Sequence, residues 1–252
     1  MFKQVPNQYF VEIDVTHRCT LSCFNCDRCV SVAPGNAYQD ITVEQFKKFI
    51  TQSINNNYLW KRIRLIGGEP TIHPDFDEIL HLLAEYKLRH NENLKVEISS
   101  NGYTEYTKRK LIWVQENFPE VDIFNTSKEG NLQTDFQYMN IAPIDKSGRY
   151  KEYDYGGCWI LSVCGLGFNY SGFYCCAAAG VIAKIFEYDI AIKDVKDINR
   201  TALQNMYNTV CSKCGHFIPT RVDPDNPGTV LSPSWEKAVK QYNSRDKELK
   251  RF

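Results

Sequence analysis

No apolar run in the 252 residues approaches the roughly 18 needed to span a bilayer. The first ten residues, MFKQVPNQYF, lack the apolar h-region that directs export. Neither sign of charge dominates. Thirty lysines and arginines face 30 aspartates and glutamates, so no global basic field points to nucleic acid and no acidic tail to a cationic partner. There is no internal repeat and no low-complexity tract. With 43% hydrophobic and 24% charged residues, the chain reads as an ordinary globular protein, either one large domain or a domain with an appendage. No membrane and no nucleic-acid partner is expected, and the cytoplasm is the expected compartment.

Cysteine, by contrast, is plentiful, with ten residues. Clustered short spacings without an export signal favour metal or cluster ligation over disulfides. Soft thiolates select zinc, copper(I) or iron–sulfur clusters. Cys19, Cys23 and Cys26 follow a C-x3-C-x2-C spacing. Three such thiolates can hold three irons of a 4Fe–4S cubane and leave the fourth iron open to a second molecule.

The first half alternates strand and helix. The segment YFVEIDV (9–15) alternates apolar and polar residues, as a half-buried strand does. After a long cysteine-bearing loop, Thr42 and Gln45 form a capping-box pattern ahead of Val43, Phe46, Phe49, Ile50 and Ile54 at helical spacing. A strand at 62–66 ends at Gly67-Gly68-Glu69-Pro70. A helix follows at 76–88, then a strand at 95–99 ending at Asn101-Gly102, a helix at 108–117 and a strand at 121–124. The segment 137–141 is a candidate for one more strand. This order predicts an α/β fold, a partial (β/α) barrel of about five to six parallel strands, with its special sequences at the C-terminal strand ends where such folds build sites. Near Ala142 tyrosine, glycine and cysteine become dense and the alternation is lost. The expected division is therefore a barrel domain at 1–142 and a small cysteine-rich α+β domain at 143–252, closing in a helix at 234–250 capped by Ser232 or Ser234.

Three motifs in order on three strand ends resemble the radical SAM superfamily: the Cys19, Cys23, Cys26 triad, the GGEP segment Gly67 to Pro70, and Ser99-Ser100-Asn101-Gly102. The resemblance implies that the triad binds a 4Fe–4S cluster and that S-adenosylmethionine (SAM) chelates the open iron. It further implies that Gly67, Gly68, Glu69, Ser99, Ser100 and Asn101 contact SAM. Reductive cleavage of SAM would then yield a 5′-deoxyadenosyl radical that takes hydrogen from a substrate, with electrons from an external donor such as flavodoxin or ferredoxin. One departure is visible: the family often has an aromatic before the third cysteine, where this chain has Asn25, the aromatic being Phe24. Cys29 is read as a spare or reactive thiol.

The second cysteine set resembles the twitch domain, a shortened SPASM domain carrying one auxiliary 4Fe–4S cluster. Matching positions are Cys158, Cys176, Cys211 and Cys214, with Cys175 a rival for Cys176 and Cys164 for Cys158. No cysteine follows Cys214, which argues against a further cluster. A four-cysteine zinc site is the alternative. Such a protein is similar to twitch-bearing radical SAM dehydrogenases, implying oxidation of a small polyhydroxyl natural-product intermediate. Crosslinking or epimerisation of a ribosomally made peptide is the alternative within enzymes, and Cys29, Cys164 or Cys175 would then be thiols left to donate hydrogen. A non-catalytic iron–sulfur or zinc module is the alternative of another class. Asp145, Arg149, Tyr153 and Asp154 fall where a substrate pocket is expected, Arg149 being the candidate anchor. Gly165 to Gly167 is not a dinucleotide fingerprint, and the histidines show no ligand spacing.

Overall fold

The computed structural model describes residues 7–147, 158–218, 222–223, 225–226, 228–244 and 251–252. Arg149, Tyr153 and Asp154 lie outside the described residues. One six-stranded sheet, ordered β4-β3-β2-β1-β5-β6, organises the chain. Its strands are β1 (Phe10–Thr16), β2 (Arg62–Gly67), β3 (Lys95–Ser100), β4 (Asp122–Asn125), β5 (Leu166–Asn169) and β6 (Gly172–Tyr174). All neighbours pair in parallel except β5 with β6. This is the partial barrel expected, closed at one end by a hairpin.

The alternation in β1 has a different cause from the one expected. Val11, Ile13 and Val15 pack into the hydrophobic core, but Glu12 and Asp14 do not meet solvent; they are 5% and 1% exposed. The strand is buried on both faces, and its polar face forms the barrel interior. There Glu12 sits opposite Arg64 of β2, and Arg64 opposite Glu97 of β3. Arg64 bonds both carboxylates, at 3.0 Å to Glu12 and 2.7 Å to Glu97. Buried charges persist only when paired in this way.

Helices α1 (Val43–Asn55), α2 (Phe76–His90) and α3 (Glu105–Asn117) are the crossovers. The capping box forms as expected: Thr42 Oγ1 accepts from the Gln45 N–H (3.2 Å), and Gln45 Oε1 accepts from the Thr42 N–H (3.0 Å). Helix α3 starts three residues earlier than its apolar period indicates, because Thr104 caps it through the Thr107 N–H (3.1 Å). The segment 137–141 is not a strand; it carries a single bridge residue among turns.

The second half is more regular than its composition suggests. It holds α4 (Trp159–Val163), the β5–β6 hairpin, α5 (Ala177–Phe186), α6 (Arg200–Val210) and α7 (Pro233–Asn243). Helix α5, AAAGVIAKIF, is buried all round except for its last residue, so it has no polar face to reveal a helical period. Helix α7 begins after Ser232, whose hydroxyl accepts from the Ala142 N–H (2.9 Å) instead of capping its own helix. Although β5 and β6 lie beyond residue 143, β5 pairs with β1 in the main sheet. Phe49 of α1 packs on Phe168 of β5 (5.0 Å between centroids) and on Trp60 (5.6 Å), so the aromatic core runs across both halves.

Candidate functional site

The loop between β1 and α1 carries the first three cysteines and is tied down at both ends. Arg18 pairs with Asp40, and Thr16 Oγ1 donates to the same carboxylate (2.5 Å). In the middle, the amides of Ser22 and Phe24 donate to Asn131, at 2.9 Å to the side chain and 3.0 Å to the carbonyl. The result is one cleft, with about 710 Å³ of open space, lined by Cys19, Cys23 and Cys26 together with Gly67, Gly68, Ser99, Ser100 and Asn101. The structure thus brings three sequence-separated motifs to one place.

Glu69 is the exception. Its carboxylate is fully buried and does not line the cleft. Instead Oε1 accepts from Thr71 Oγ1 (2.8 Å) and Ser100 Oγ (2.9 Å), and Oε2 from the Asn101 N–H (2.8 Å). It is the tie between the second and third motifs. Burial raises its pKa, and these donors hold the rise back. Replacing Glu69 with alanine leaves several buried donors unpaired. The expected cost is about 3 kcal/mol or more, read as a lower urea midpoint.

The two glycines also serve the fold. Gly67 has φ 135°, and a Cβ there would lie 2.1 Å from the Thr16 carbonyl; one on Gly68 would lie 2.1 Å from the Arg18 carbonyl. These close approaches let the Gly68 and Glu69 amides donate to Thr16 and Arg18 (2.8 and 2.9 Å), fastening the second motif to the start of the cysteine loop. Asn101 completes the join, with Nδ2 3.0 Å from Thr20 Oγ1 and 3.5 Å from Cys19 Sγ.

The donor set fits a cubane. Three thiols share one wall, and the Arg28 amide points at Cys26 Sγ (3.4 Å). Burial raises all three thiols, Cys26 to about 11, so uptake of iron must displace protons. Cys29 stands apart: it is fully buried and its Sγ bonds Asn140 Oδ1 (3.3 Å).

Asn25 has a role that its sequence position did not reveal. At φ 56° and fully buried, it donates Nδ2 to the Gly228 carbonyl (3.1 Å) and accepts at Oδ1 from the Val230 N–H (2.9 Å). The residue pins segment 228–230 against the cysteine loop. Asn25→Gly tolerates the positive φ and removes only these bonds. The expected result is a stability loss of about 1–3 kcal/mol and faster loss of iron from reconstituted protein to a chelator. Iron retention equal to the parent protein contradicts this role.

The second thiol set converges from three helix ends. Cys158 and Cys176 precede α4 and α5, and Cys211 and Cys214 bracket the turn after α6. A Cβ on Gly215 would lie 1.8 Å from the Tyr138 carbonyl, so this turn docks directly on segment 137–140, where the Gly215 amide donates to Met139 (2.7 Å). Burial and then the neighbouring thiols push Cys158 to about 11 and also raise Cys211 and Cys214 well above the usual thiol value. Cys176 is pulled down, first by the Cys175 thiol that hydrogen-bonds it. Cys164 is not part of this group. It faces Glu12, and burial followed by that carboxylate raises it to about 12. Among the described residues no three His, Cys, Asp or Glu side chains gather tightly enough for one bare metal ion. A cubane, with its separate irons, asks for wider spacing.

A second chamber, about 1060 Å³ of open space, lies beside the first cleft. The two share Asp27, Arg28, Ile66 and Phe136. Its far wall includes Trp159, Ile160, Ala177 and Ala178, which directly follow Cys158 and Cys176, and its floor includes Glu12, Arg64 and Cys164. His216, which showed no ligand spacing, lines it too, with Nδ1 2.8 Å from Gln137 Oε1.

Residues 13–129 match the model of the Radical SAM superfamily. They form a radical SAM domain. The family implies SAM and a SAM-binding 4Fe–4S cluster. Over 97 residues the domain is 28% identical to a GTP 3′,8-cyclase of Aliarcobacter butzleri (strain RM4018), covering 37% of this chain and 27% of that protein. Over 100 residues it is 30% identical to the antilisterial bacteriocin subtilosin biosynthesis protein AlbA of Bacillus subtilis (strain 168), covering 39% of this chain and 20% of that one. The chain therefore spans about a quarter of the length of the curated relatives it matches. Among solved structures, that of BtrN in complex with AdoMet and 2-DOIA aligns over 91% of this chain and 98% of its own, at 11% identity and a TM-score of 0.45. Among the described residues no helix is long and apolar enough to cross a membrane.

Proposed function

We propose that this chain is a radical SAM oxidoreductase that removes hydrogen from a small polyhydroxyl substrate and passes the remaining electron to an auxiliary cluster. The observation that carries the reading is the second chamber, which lies between the radical SAM cleft on one side and the residues following Cys158 and Cys176 on the other. When bound, SAM and the cluster at Cys19, Cys23 and Cys26 supply a 5′-deoxyadenosyl radical, and a 4Fe–4S cluster at Cys158, Cys176, Cys211 and Cys214 supplies a one-electron acceptor. The substrate carbon would give up one hydrogen atom to that radical, yielding 5′-deoxyadenosine, then one electron to the acceptor and its hydroxyl proton to water, leaving a ketone.

The residues' own parts follow from their positions. Ser99 and Asn101 bring a hydroxyl and an amide to the cleft, suited to a carboxylate or ribose, while the Ser100 hydroxyl is held by Glu69. Phe136 and Trp159 give the chamber apolar walls. A cubane with four thiolate ligands has no open iron, so the second set suits electron transfer better than substrate ligation. Electrons for the first step come from an external donor such as flavodoxin or ferredoxin. The test is incubation of the reduced, reconstituted protein with SAM and candidate polyols. A ketone formed alongside 5′-deoxyadenosine supports the reading; 5′-deoxyadenosine with the polyol unchanged across the panel counts against it.

A second reading, modification of a ribosomally made peptide, draws on the likeness to AlbA and on Cys164, whose raised pKa keeps an S–H in the chamber. Return of solvent deuterium to a peptide carbon distinguishes it from oxidation.

A further inference from the structure

We propose that Arg28 is the fixed cation of the wall between the two cavities, a positioning residue that fastens the cysteine loop to β1 and sets how readily the cluster held by Cys19, Cys23 and Cys26 takes up an electron. The proposal rests on the reading that this triad holds a 4Fe–4S cluster.

The geometry is specific. Arg28 follows Cys26 by two residues, is 4% exposed and lines both cavities. Its own amide faces Cys26 Sγ at 3.4 Å. Its guanidinium spreads over three carboxylates: Nε to Asp14 (2.9 Å), Nη2 to Glu12 (3.1 Å) and Nη1 to Asp27 (3.0 Å). Two of these lie on β1 and the third is on the loop itself, so one side chain joins loop to barrel. The guanidinium serves the three acceptors from three separate nitrogens in one plane, a spread that suits arginine.

The electrostatic part follows from burial. Charges in a low-dielectric interior act over longer distances than in water. Asp27 lines the triad's cleft and shares Arg28 with Asp14 and Glu12 of β1, and carboxylate charge near a thiolate-bound cluster would oppose reduction, because each added electron meets like charge. Arg28 stands among them and offsets that field. Removing Arg28 leaves Asp14 and Asp27 without their cation, Glu12 keeping Arg64 (3.0 Å), whereas removing Asp14 alone relieves the field.

The experiment uses reconstituted parent protein and the variants Arg28→Lys, Arg28→Gln, Asp14→Asn and Arg28→Gln/Asp14→Asn at pH 8. Iron and sulfide are counted, and the reduction midpoint is read from the electron paramagnetic resonance signal that changes when SAM is added, which assigns it to the triad. The expected order tracks charge. Arg28→Gln shifts the reduction equilibrium about tenfold towards the oxidised form, about 59 mV more negative for one electron. Asp14→Asn shifts it the other way, the double variant falls between, and Arg28→Lys stays near the parent. Equal midpoints in the parent and Arg28→Gln overturn the proposal, as does an Arg28→Lys shift as large as that of Arg28→Gln. Should Arg28→Gln not retain iron, Asp14→Asn decides: an unchanged midpoint overturns the proposal. A parent protein that holds no SAM-responsive cluster overturns the underlying reading instead, so the two failures are told apart.

Discussion

Replacing Cys23 with alanine is expected to abolish SAM cleavage and to remove about four irons per chain, one cubane's worth. Cys23 is 4% exposed and faces the same cleft as Cys19 and Cys26. Two thiolates left on a cubane leave two irons without protein ligands, and no other described cysteine is placed to help. Cys29 is near in sequence, but its Sγ points to Asn140 Oδ1 at 3.3 Å. The contrast is therefore sharp: Cys29→Ala is expected to keep its iron and cleave SAM, at the cost of a buried cavity. The measurements are iron, acid-labile sulfide and 5′-deoxyadenosine. Equal iron in Cys23→Ala and the parent protein contradicts the triad as ligands.

The second large effect concerns the other four thiols. Cys211→Ser/Cys214→Ser is expected to lose a further cubane's iron, again about four per chain, while keeping reductive SAM cleavage. Substrate oxidation should stop, because the electron left on the substrate has no acceptor. The separation follows from the fold. Cys211 and Cys214 sit on a turn after α6, docked on segment 137–140 and held by Trp235, whose Nε1 donates to Lys213 (2.7 Å). None of these residues lines the SAM cleft. Between the rivals at the hairpin, Cys176→Ser should lose iron and Cys175→Ser should keep it, since Cys175 is fully buried and hydrogen-bonds Cys176. Loss of SAM cleavage in Cys211→Ser/Cys214→Ser contradicts independent roles for the two sets.

The first half of the fold was legible because its signals are local. A capping box, apolar periods and glycines at strand ends each act within a few residues, and they place α1, β2 and β3 closely. The candidate site drew on signals of the same kind: three short motifs on consecutive strand ends line one cleft. What escaped depended on contacts between distant segments. Glu12 and Asp14 looked solvent-facing because alternation does not tell water from a charged interior; Arg28 and Arg64, far apart in sequence, decide that. Glu69 looked like a ligand residue, yet its donors come from Thr71, Ser100 and Asn101. Asn25 looked like a lost aromatic until its partners at 228–230 were seen. The β5–β6 hairpin gave no sign that it would pair with β1, since pairing is a property of both strands. Helix α5 was hidden by being buried nearly all round.

The most direct measurement of the central claim is anaerobic incubation of the reconstituted, dithionite-reduced protein with SAM, followed by quantitation of 5′-deoxyadenosine. Formation of 5′-deoxyadenosine by the parent protein, and its absence in Cys23→Ala, is the result expected. No 5′-deoxyadenosine from a parent protein that carries its full iron and sulfide contradicts the account.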